Sequence, residues 1–289
     1  MVAGEIQRYL RLLGIRTPIA GQAGWDEASP DERLLNHIVR RHLCRVPFEN
    51  LSKLLLLGRE GAGRVTTLGE FLDGIEQYDL GGTCFTNNPF LASLLKALGY
   101  DTDLLGADMS QPNVHTAIRV RLAGFEYHVD VGYGAPFRNA IRLDRLPWEF
   151  EQGSYRFLFE RAAEPDACQA AVYLGGQRLH GYVVHPPARD AAFFHPALFE
   201  SYRSGMTFTN MLRIIRFFDD YAVDLQDAKL SIHRGAQTTC RLLRNMADLR
   251  AAVAGDLAMP RCPIDEAVAA LEQRTGRSVF EEKKQAGAW

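Results

Sequence analysis

A cysteine that acts as a nucleophile must be reachable and must be held as a thiolate, and the surroundings of Cys84 favour both. It stands in Leu80-Gly81-Gly82-Thr83-Cys84-Phe85, just ahead of Phe90, Leu91, Leu94, Leu95 and Leu98, an apolar stripe of helical period closed by Gly99. The free N–H groups and positive end of a helix stabilise a thiolate, and the two glycines permit a tight turn with close approach of a ligand to the backbone. Asn88-Pro89 modifies this reading, because that pair has the form of an N-cap and first helical residue. A helix starting there would leave Cys84 a turn upstream and shift more of its activation onto a neighbouring base.

A base is available on a predicted hairpin. Val114, Thr116, Ile118, Val120 and Leu122 alternate with His115, Ala117, Arg119 and Arg121. With Ala123-Gly124 as a two-residue turn, Leu122 faces Phe125, Arg121 faces Glu126, Arg119 faces His128, Ala117 faces Asp130 and His115 faces Gly132. His115 and Asp130 are then diagonal neighbours on one face, about 7 to 8 Å apart at the backbone, a gap that an imidazole and a carboxylate can span. Their hydrogen bond would fix the imidazole tautomer and stabilise the imidazolium formed when it takes a thiol proton. A three-residue turn would place them on opposite faces. The competing reading makes His115, His128, Asp130 and Glu126 the solvated face of an amphipathic hairpin.

The first hundred residues read as helices. Ser29-Pro30-Asp31-Glu32 supplies an N-cap serine, a proline at the first helical position and a glutamate three residues on, ahead of Leu34, Leu35, Ile38, Val39 and Leu43. Thr67-Leu68-Gly69-Glu70 repeats the capping box before Phe71, Leu72 and Ile75, while Ile6, Tyr9, Leu10 and Leu13 form a stripe ended by Gly14. From about Asp101 to Leu174 the period becomes alternating, which predicts a sheet or small barrel that includes Tyr155 to Phe159 and Ala171 to Leu174. A boundary is expected near His185-Pro186-Pro187. Beyond it, a strand at Leu212 to Phe218 mixes with helical stripes at Met246, Leu249 and Val253 and at Ile264, Val268 and Leu271.

The chain has 289 residues, 47% hydrophobic and 24% charged, the composition of a folded protein with mass for a large core. Its 33 basic and 35 acidic residues give a net charge of −2, without the excess that phosphate attraction requires, so a small-molecule partner is expected and a nucleic acid is not. The longest aliphatic run, Leu54 to Leu57, is far below the ~20 residues of a membrane span, and Glu5 and Arg8 interrupt the first apolar stretch. A soluble, cytoplasmic protein is expected. Five widely spaced cysteines, Cys44, Cys84, Cys168, Cys240 and Cys262, offer neither a disulfide framework nor zinc-ligand spacing, so no metal is expected. The ordinary role of such a cysteine is that of a small buried residue, and Cys84 stands apart only by its neighbours.

Taken together, Arg45-Val46-Pro47-Phe48-Glu49-Asn50-Leu51, Gly81-Gly82-Thr83-Cys84-Phe85 with Asn88, then His115, then Val129-Asp130-Val131-Gly132-Tyr133-Gly134 resemble the arylamine N-acetyltransferases, in the family's order. The resemblance covers Ile6 to Phe137 well and the rest loosely, through Thr207-Phe208-Thr209-Asn210 and Leu230-Ser231-Ile232. It implies an α+β fold in three parts: a helical bundle with the cysteine over 1–100, a β-barrel with histidine and aspartate over 101–190, and an α/β lid over 191–289. It further implies ping-pong transfer, acetyl-CoA acylating Cys84 before an arylamine or hydrazine nitrogen attacks the thioester, with His115 as base and Asp130 as its orienting partner. Phe48 and Tyr133 match positions lining the acceptor pocket, and Gly132 and Phe208 are taken with them as substrate-binding candidates.

Two positions depart from the family pattern, Leu80 where arginine commonly precedes the glycines and Thr86 where glutamate commonly follows the cysteine. A buried ion network is thereby short of a member, and Glu49 is expected to pair elsewhere, with Arg45 the candidate. The same triad serves other readings: an amide synthase taking its acyl group from a different thioester, a transglutaminase-like cysteine hydrolase in which water replaces the amine, or a binding protein in which the three residues are coincidental.

Overall fold

The computed structural model of the protein describes residues 1–15 and 30–281. Helices dominate the first part: α1 (Ala3–Leu12), α2 (Glu32–Arg45), α3 (Leu51–Glu60), α4 (Leu68–Tyr78) and α5 (Cys84–Ala97), with a two-residue strand β1 (Phe48–Glu49) between α2 and α3. Ser29, the predicted cap of α2, lies outside the described residues, and the side chain of Asp31 caps that helix, accepting the Leu34 N–H at 2.7 Å. The box at α4 forms as expected, Glu70 accepting the Thr67 N–H at 2.8 Å.

The alternating middle of the chain gives β2 (Asp101–Asp108), β3 (His115–Leu122), β4 (Phe125–Val129), β5 (Ile141–Arg142), β6 (Trp148–Gln152), β7 (Tyr155–Arg161), β8 (Cys168–Leu174) and β9 (Gln177–Arg189). They form an antiparallel sheet in the order β5-β4-β3-β2-β9-β8-β7-β6, curled into a nearly closed barrel. The β3–β4 register is the predicted one from Leu122↔Phe125 to Ile118↔Val129, because Ala123 and Gly124 both adopt positive φ, 51° and 80°, as a two-residue hairpin turn demands. The Pro186-Pro187 pair lies within β9, where the pairing with β2 slips between Ala107↔Val184 and Leu105↔Ala188, so the prolines occupy a bulge in the ladder.

The last part holds α6 (His195–Glu200), a second sheet of β10 (Arg213–Phe217), β11 (Tyr221–Gln226), β12 (Lys229–Arg234) and β13 (Gln237–Leu242), then α7 (Met246–Ala254) and α8 (Ile264–Thr275). Strand β1 adds to this sheet beside β10, Phe48 opposite Ile215, so the reading of the first hundred residues as wholly helical is corrected by one short strand. Three apolar cores result. On β3, Ile118 and Val120 face the N-terminal helices while Ala117 faces the barrel interior with Phe137, Phe159 and Tyr182, the period-two division a strand imposes. The third core packs Leu51, Leu54 and Leu55 of α3 against Val223 and Leu225 of the second sheet and Val268 and Leu271 of α8.

Candidate active site

The nucleophile candidate is the first residue of α5. Thr83 is the N-cap, and its carbonyl accepts the N–H groups of Thr86 and Asn87 at 3.1 and 3.0 Å. Cys84 is thus at the helix start, the first of the two readings, and the alternative start at Asn88-Pro89 does not hold: Pro89 lies inside the helix, and Asn88 spends its carboxamide elsewhere. As first and second helical residues, Cys84 and Phe85 have no intrahelical acceptors for their own N–H groups, and the Cys84 sulfur sits at the positive end of the helix. The side chain is buried, with Sγ 3.9 Å from the Val114 carbonyl oxygen.

His115 opens β3 and Asp130 follows the last residue of β4, and the two meet at 2.7 Å between Nε2 and Oδ2. With Nε2 engaged by the carboxylate, Nδ1 is the ring nitrogen left to interact with Cys84, whose sulfur helps to raise the His115 pKa. His115, His128 and Asp130 are all nearly inaccessible, at 2%, 3% and 1%, whereas Glu126 is exposed, so the solvated-face reading of the hairpin fails. Burial alone would lower the His115 pKa. The Asp130 charge, then the Cys84 sulfur, outweigh it and hold the imidazole well above its ordinary value. For Asp130 burial pushes upward, but the His115 charge and hydrogen bond leave the carboxyl below its usual range.

Asp130 is gripped on both oxygens. Oδ1 accepts from Asn88 Nδ2 at 2.8 Å and from the Gly132 N–H at 2.9 Å. Asn88 also donates to the Thr116 carbonyl at 2.5 Å and accepts the Val131 N–H at 2.9 Å, and Thr116 returns a hydroxyl to the Cys84 carbonyl at 2.8 Å. The helix bearing the sulfur and the hairpin bearing His115 are thus tied together through the Asn88 carboxamide and the Thr116 hydroxyl. Behind it the Tyr182 hydroxyl bonds His128 Nε2 at 2.9 Å and reaches Asp130, and its ring lies 4.7 Å from that of His115. Asn88 entered the sequence reading as a motif member and helix cap. Tyr182 had no signal there, being one aromatic residue in an alternating strand.

At Gly132 there is no room for a side chain. A Cβ there would stand 2.6 Å from the Cys84 Cα and 2.8 Å from Asn88 Nδ2. Tyr133 faces a cleft of about 60 Å³ between barrel and second sheet, lined also by His180, Arg213 and His233, and its hydroxyl is 2.5 Å from His180 Nδ1. Phe48 and Phe208 pack edge to face at 5.5 Å, Phe48 in the first core and against the backbone of Gly134.

The expected Glu49–Arg45 pair does not form. Glu49 is fully buried and accepts the Gly81 N–H at 3.0 Å and the Ser52 N–H at 2.8 Å, backbone donors that satisfy both oxygens. Burial pushes its pKa upward. The two departures are equally self-contained: Leu80 joins the third core, and Thr86 donates its hydroxyl back to the Thr83 carbonyl at 3.0 Å.

A family model described as N-acetyltransferase matches residues 33–252. The arylamine N-acetyltransferase of Mycolicibacterium smegmatis is 26% identical over 72% of this chain and 78% of its own length. A chicken relative, the pineal gland arylamine N-acetyltransferase isozyme NAT-10, is 34% identical over 37% of the chain, and a Gibberella moniliformis protein named N-malonyltransferase FDB2 is 32% identical over 42%. The matched segments span 38% and 37% of those two relatives' lengths. Among solved structures, the Mycobacterium abscessus arylamine N-acetyltransferase superposes with TM-score 0.76 at 18% identity over 94% of this chain and 95% of its own. The Mycobacterium marinum enzyme solved in complex with CoA superposes with TM-score 0.75 at 18% identity over 93% of this chain and 99% of its own. A helix-borne cysteine meeting a barrel-borne histidine and aspartate, on this fold and with this match along most of its length, places the chain in the arylamine N-acetyltransferase family.

Proposed function

We propose that the protein transfers an acetyl group from acetyl-CoA through a thioester on Cys84 to the nitrogen of an arylamine or hydrazine. The observation that carries this reading is the buried arrangement of Cys84 at a helix N-terminus, His115 electrostatically coupled to its sulfur, and Asp130 at 2.7 Å from His115 Nε2. In the first half-reaction the sulfur attacks the thioester carbonyl, the tetrahedral intermediate collapses, and CoA leaves with the proton that His115 held. In the second the amine attacks the enzyme thioester, its surplus proton passes to His115, and the Cys84 sulfur is released. The N–H of Cys84, which has no intrahelical acceptor, is a donor for the oxyanion of both intermediates. A weakly basic arylamine suits this chemistry, since it remains a free nucleophile at neutral pH. Tyr133, which lines the cleft between barrel and second sheet, is assigned to the acceptor side together with Gly132, Phe48 and Phe208.

All five cysteines are unpaired, as fits a reducing compartment, and no described helix is long and apolar enough to cross a membrane. The test is intact mass spectrometry after mixing the protein with acetyl-CoA. An acetyl adduct is expected on the wild type, absent from Cys84→Ser and discharged by an arylamine. Rapid loss of the adduct to water alone would make the protein a hydrolase, and no adduct at all would end the acyl-transfer reading.

A further inference from the structure

The barrel holds a second, larger space that the chemistry above leaves unused. On β3, His115, Ala117 and Arg119 alternate onto the interior side, which sets the triad toward one end of the barrel and Arg119, opposite His128, toward the other. A cavity of about 300 Å³ opens at that far end, about twice the size that takes a benzene ring and so enough for a ring with a polar head. Leu105, Leu143, Phe159 and Val184 give it an apolar wall, and His128 and Cys168, each at 3% exposure, line its deeper part.

The polar groups around this cavity are unevenly engaged. Arg119 is bonded to Asp103 at 2.5 Å with Glu126 3.6 Å away, and His185 to Asp108 at 2.9 Å. Arg161 and Asp166 differ. The Arg161 guanidinium has the Leu143 carbonyl at 2.9 Å and the Cys168 sulfur at 3.9 Å, and among the described residues neither Arg161 nor Asp166 enters an ion pair. One cation and one anion therefore stand at the exposed rim without reaching each other. Deeper in, His128 Nε2 is engaged by the Tyr182 hydroxyl at 2.9 Å, while Nδ1 has no hydrogen-bond partner among the described residues. Burial lowers the pKa of this ring to about 4, so it is neutral, and a hydroxyl can satisfy Nδ1 in either tautomer. A polar atom this buried calls for a partner, and His128 lines the cavity from which one can come.

These features select a ligand with three parts. An apolar ring suits the wall and a hydroxyl suits His128. The head must carry both charges, because a simple carboxylate would suit Arg161 but face Asp166, and a simple ammonium the reverse. Phe159, whose ring stacks on His128 at 4.1 Å, and Arg161 lie two residues apart on the same face of β7, about 7 Å along the strand, so floor and rim are separated by about the length of one substituted benzene ring. We propose that the end of the barrel opposite Cys84 binds a free α-amino acid with a phenolic side chain, its ring against Phe159 and Val184, its hydroxyl on His128, and its carboxylate and ammonium on Arg161 and Asp166. No covalent step is involved, and the site is separate from the cleft lined by Tyr133.

The test uses the full chain and radiolabelled L-tyrosine in equilibrium dialysis. Saturable binding of one equivalent is expected. Competing ligands that lack one recognised group should bind about tenfold more weakly or worse: L-phenylalanine without the hydroxyl, tyramine without the carboxylate and phloretic acid without the ammonium. Arg161→Met and Asp166→Asn, both at the exposed rim, should lose affinity by a similar factor while melting at the wild-type temperature. Neither a neutral arylamine nor CoA should displace the label. The analogue series needs only the wild-type chain, so it decides the matter even where a variant folds poorly. Absence of saturable binding up to the solubility limit of L-tyrosine would overturn the proposal. So would affinity that L-phenylalanine matches, affinity that both rim variants retain, or displacement by an arylamine, which would put the ligand in the acyl-transfer cleft instead.

Discussion

Asp130 illustrates how much of a triad lies outside its three members. A buried carboxylate must be satisfied on every side, and here the Asn88 carboxamide, the Gly132 N–H, His115 and Tyr182 share that task. Asn88→Ala is expected to leave Asp130, the Val131 N–H and the Thr116 carbonyl short of a partner, costing about 1 to 3 kcal/mol in stability and lowering kcat/KM about tenfold to a hundredfold. Steady-state kinetics beside a thermal melt would check this, and unchanged kcat/KM in a folded variant would remove Asn88 from the positioning of the site. Cys84, His115 and Asp130 were legible from residue type and spacing, because a glycine pair before a cysteine and an even-numbered offset across a hairpin are local facts. Asn88 was legible as a motif member but not in its role: Asn-Pro has the form of a helix start, and the tertiary hydrogen bonds that outcompete that role come from strands far along the chain.

At the level of elements, the hairpin was the clearest part of the sequence, since strict alternation and a two-residue turn leave one register that buries the apolar face. The start of α5 was left between Cys84 and Asn88, and β1, only two residues long, has no period to read. The close approach of α5 to the segment after β4 is made at Gly132. Gly132→Ala is expected to push the α5 N-terminus away from the hairpin, because the new methyl would meet backbone rather than a yielding side chain. A loss of about 1 to 3 kcal/mol in urea melts is anticipated, with a larger proportional loss in the rate of Cys84 acylation. Acylation at the wild-type rate in Gly132→Ala would show that the helix and hairpin need not touch there.

For the whole molecule, the switch from helical to alternating period gave the broad plan, while the way the parts interleave depends on contacts no local pattern encodes. The distribution of buried histidines sets its response to acid. Burial lowers the pKa of His42 to about 3 and of His128 to about 4, so both stay neutral in the folded protein at pH values where the unfolded chain binds protons. Their contribution is therefore complete above about pH 6.5 and is lost as pH falls toward 4, roughly 2 kcal/mol for each by pH 5. His115, raised by Asp130, has the opposite sign: its contribution is complete below about pH 6.5 and fades in alkali. Urea midpoints should fall between pH 7 and pH 5, with a shallower fall in His42→Gln, and a flat profile would contradict the assignment.

The pairing of β1 with β10, together with the bridge from Phe48 to Gly82, also sets the order in which the protein can become competent during synthesis. The turn leading into α5 leans on a strand whose partner has not yet been made when the cysteine, histidine and aspartate have all emerged from the ribosome. A nascent chain stopped at residue 205 would carry the complete triad and still lack the sheet that braces it. Such a stalled product should fail to take up acetyl from acetyl-CoA, and release of the full-length chain should restore uptake. If the stalled product acylates normally, the second sheet is dispensable for the chemistry.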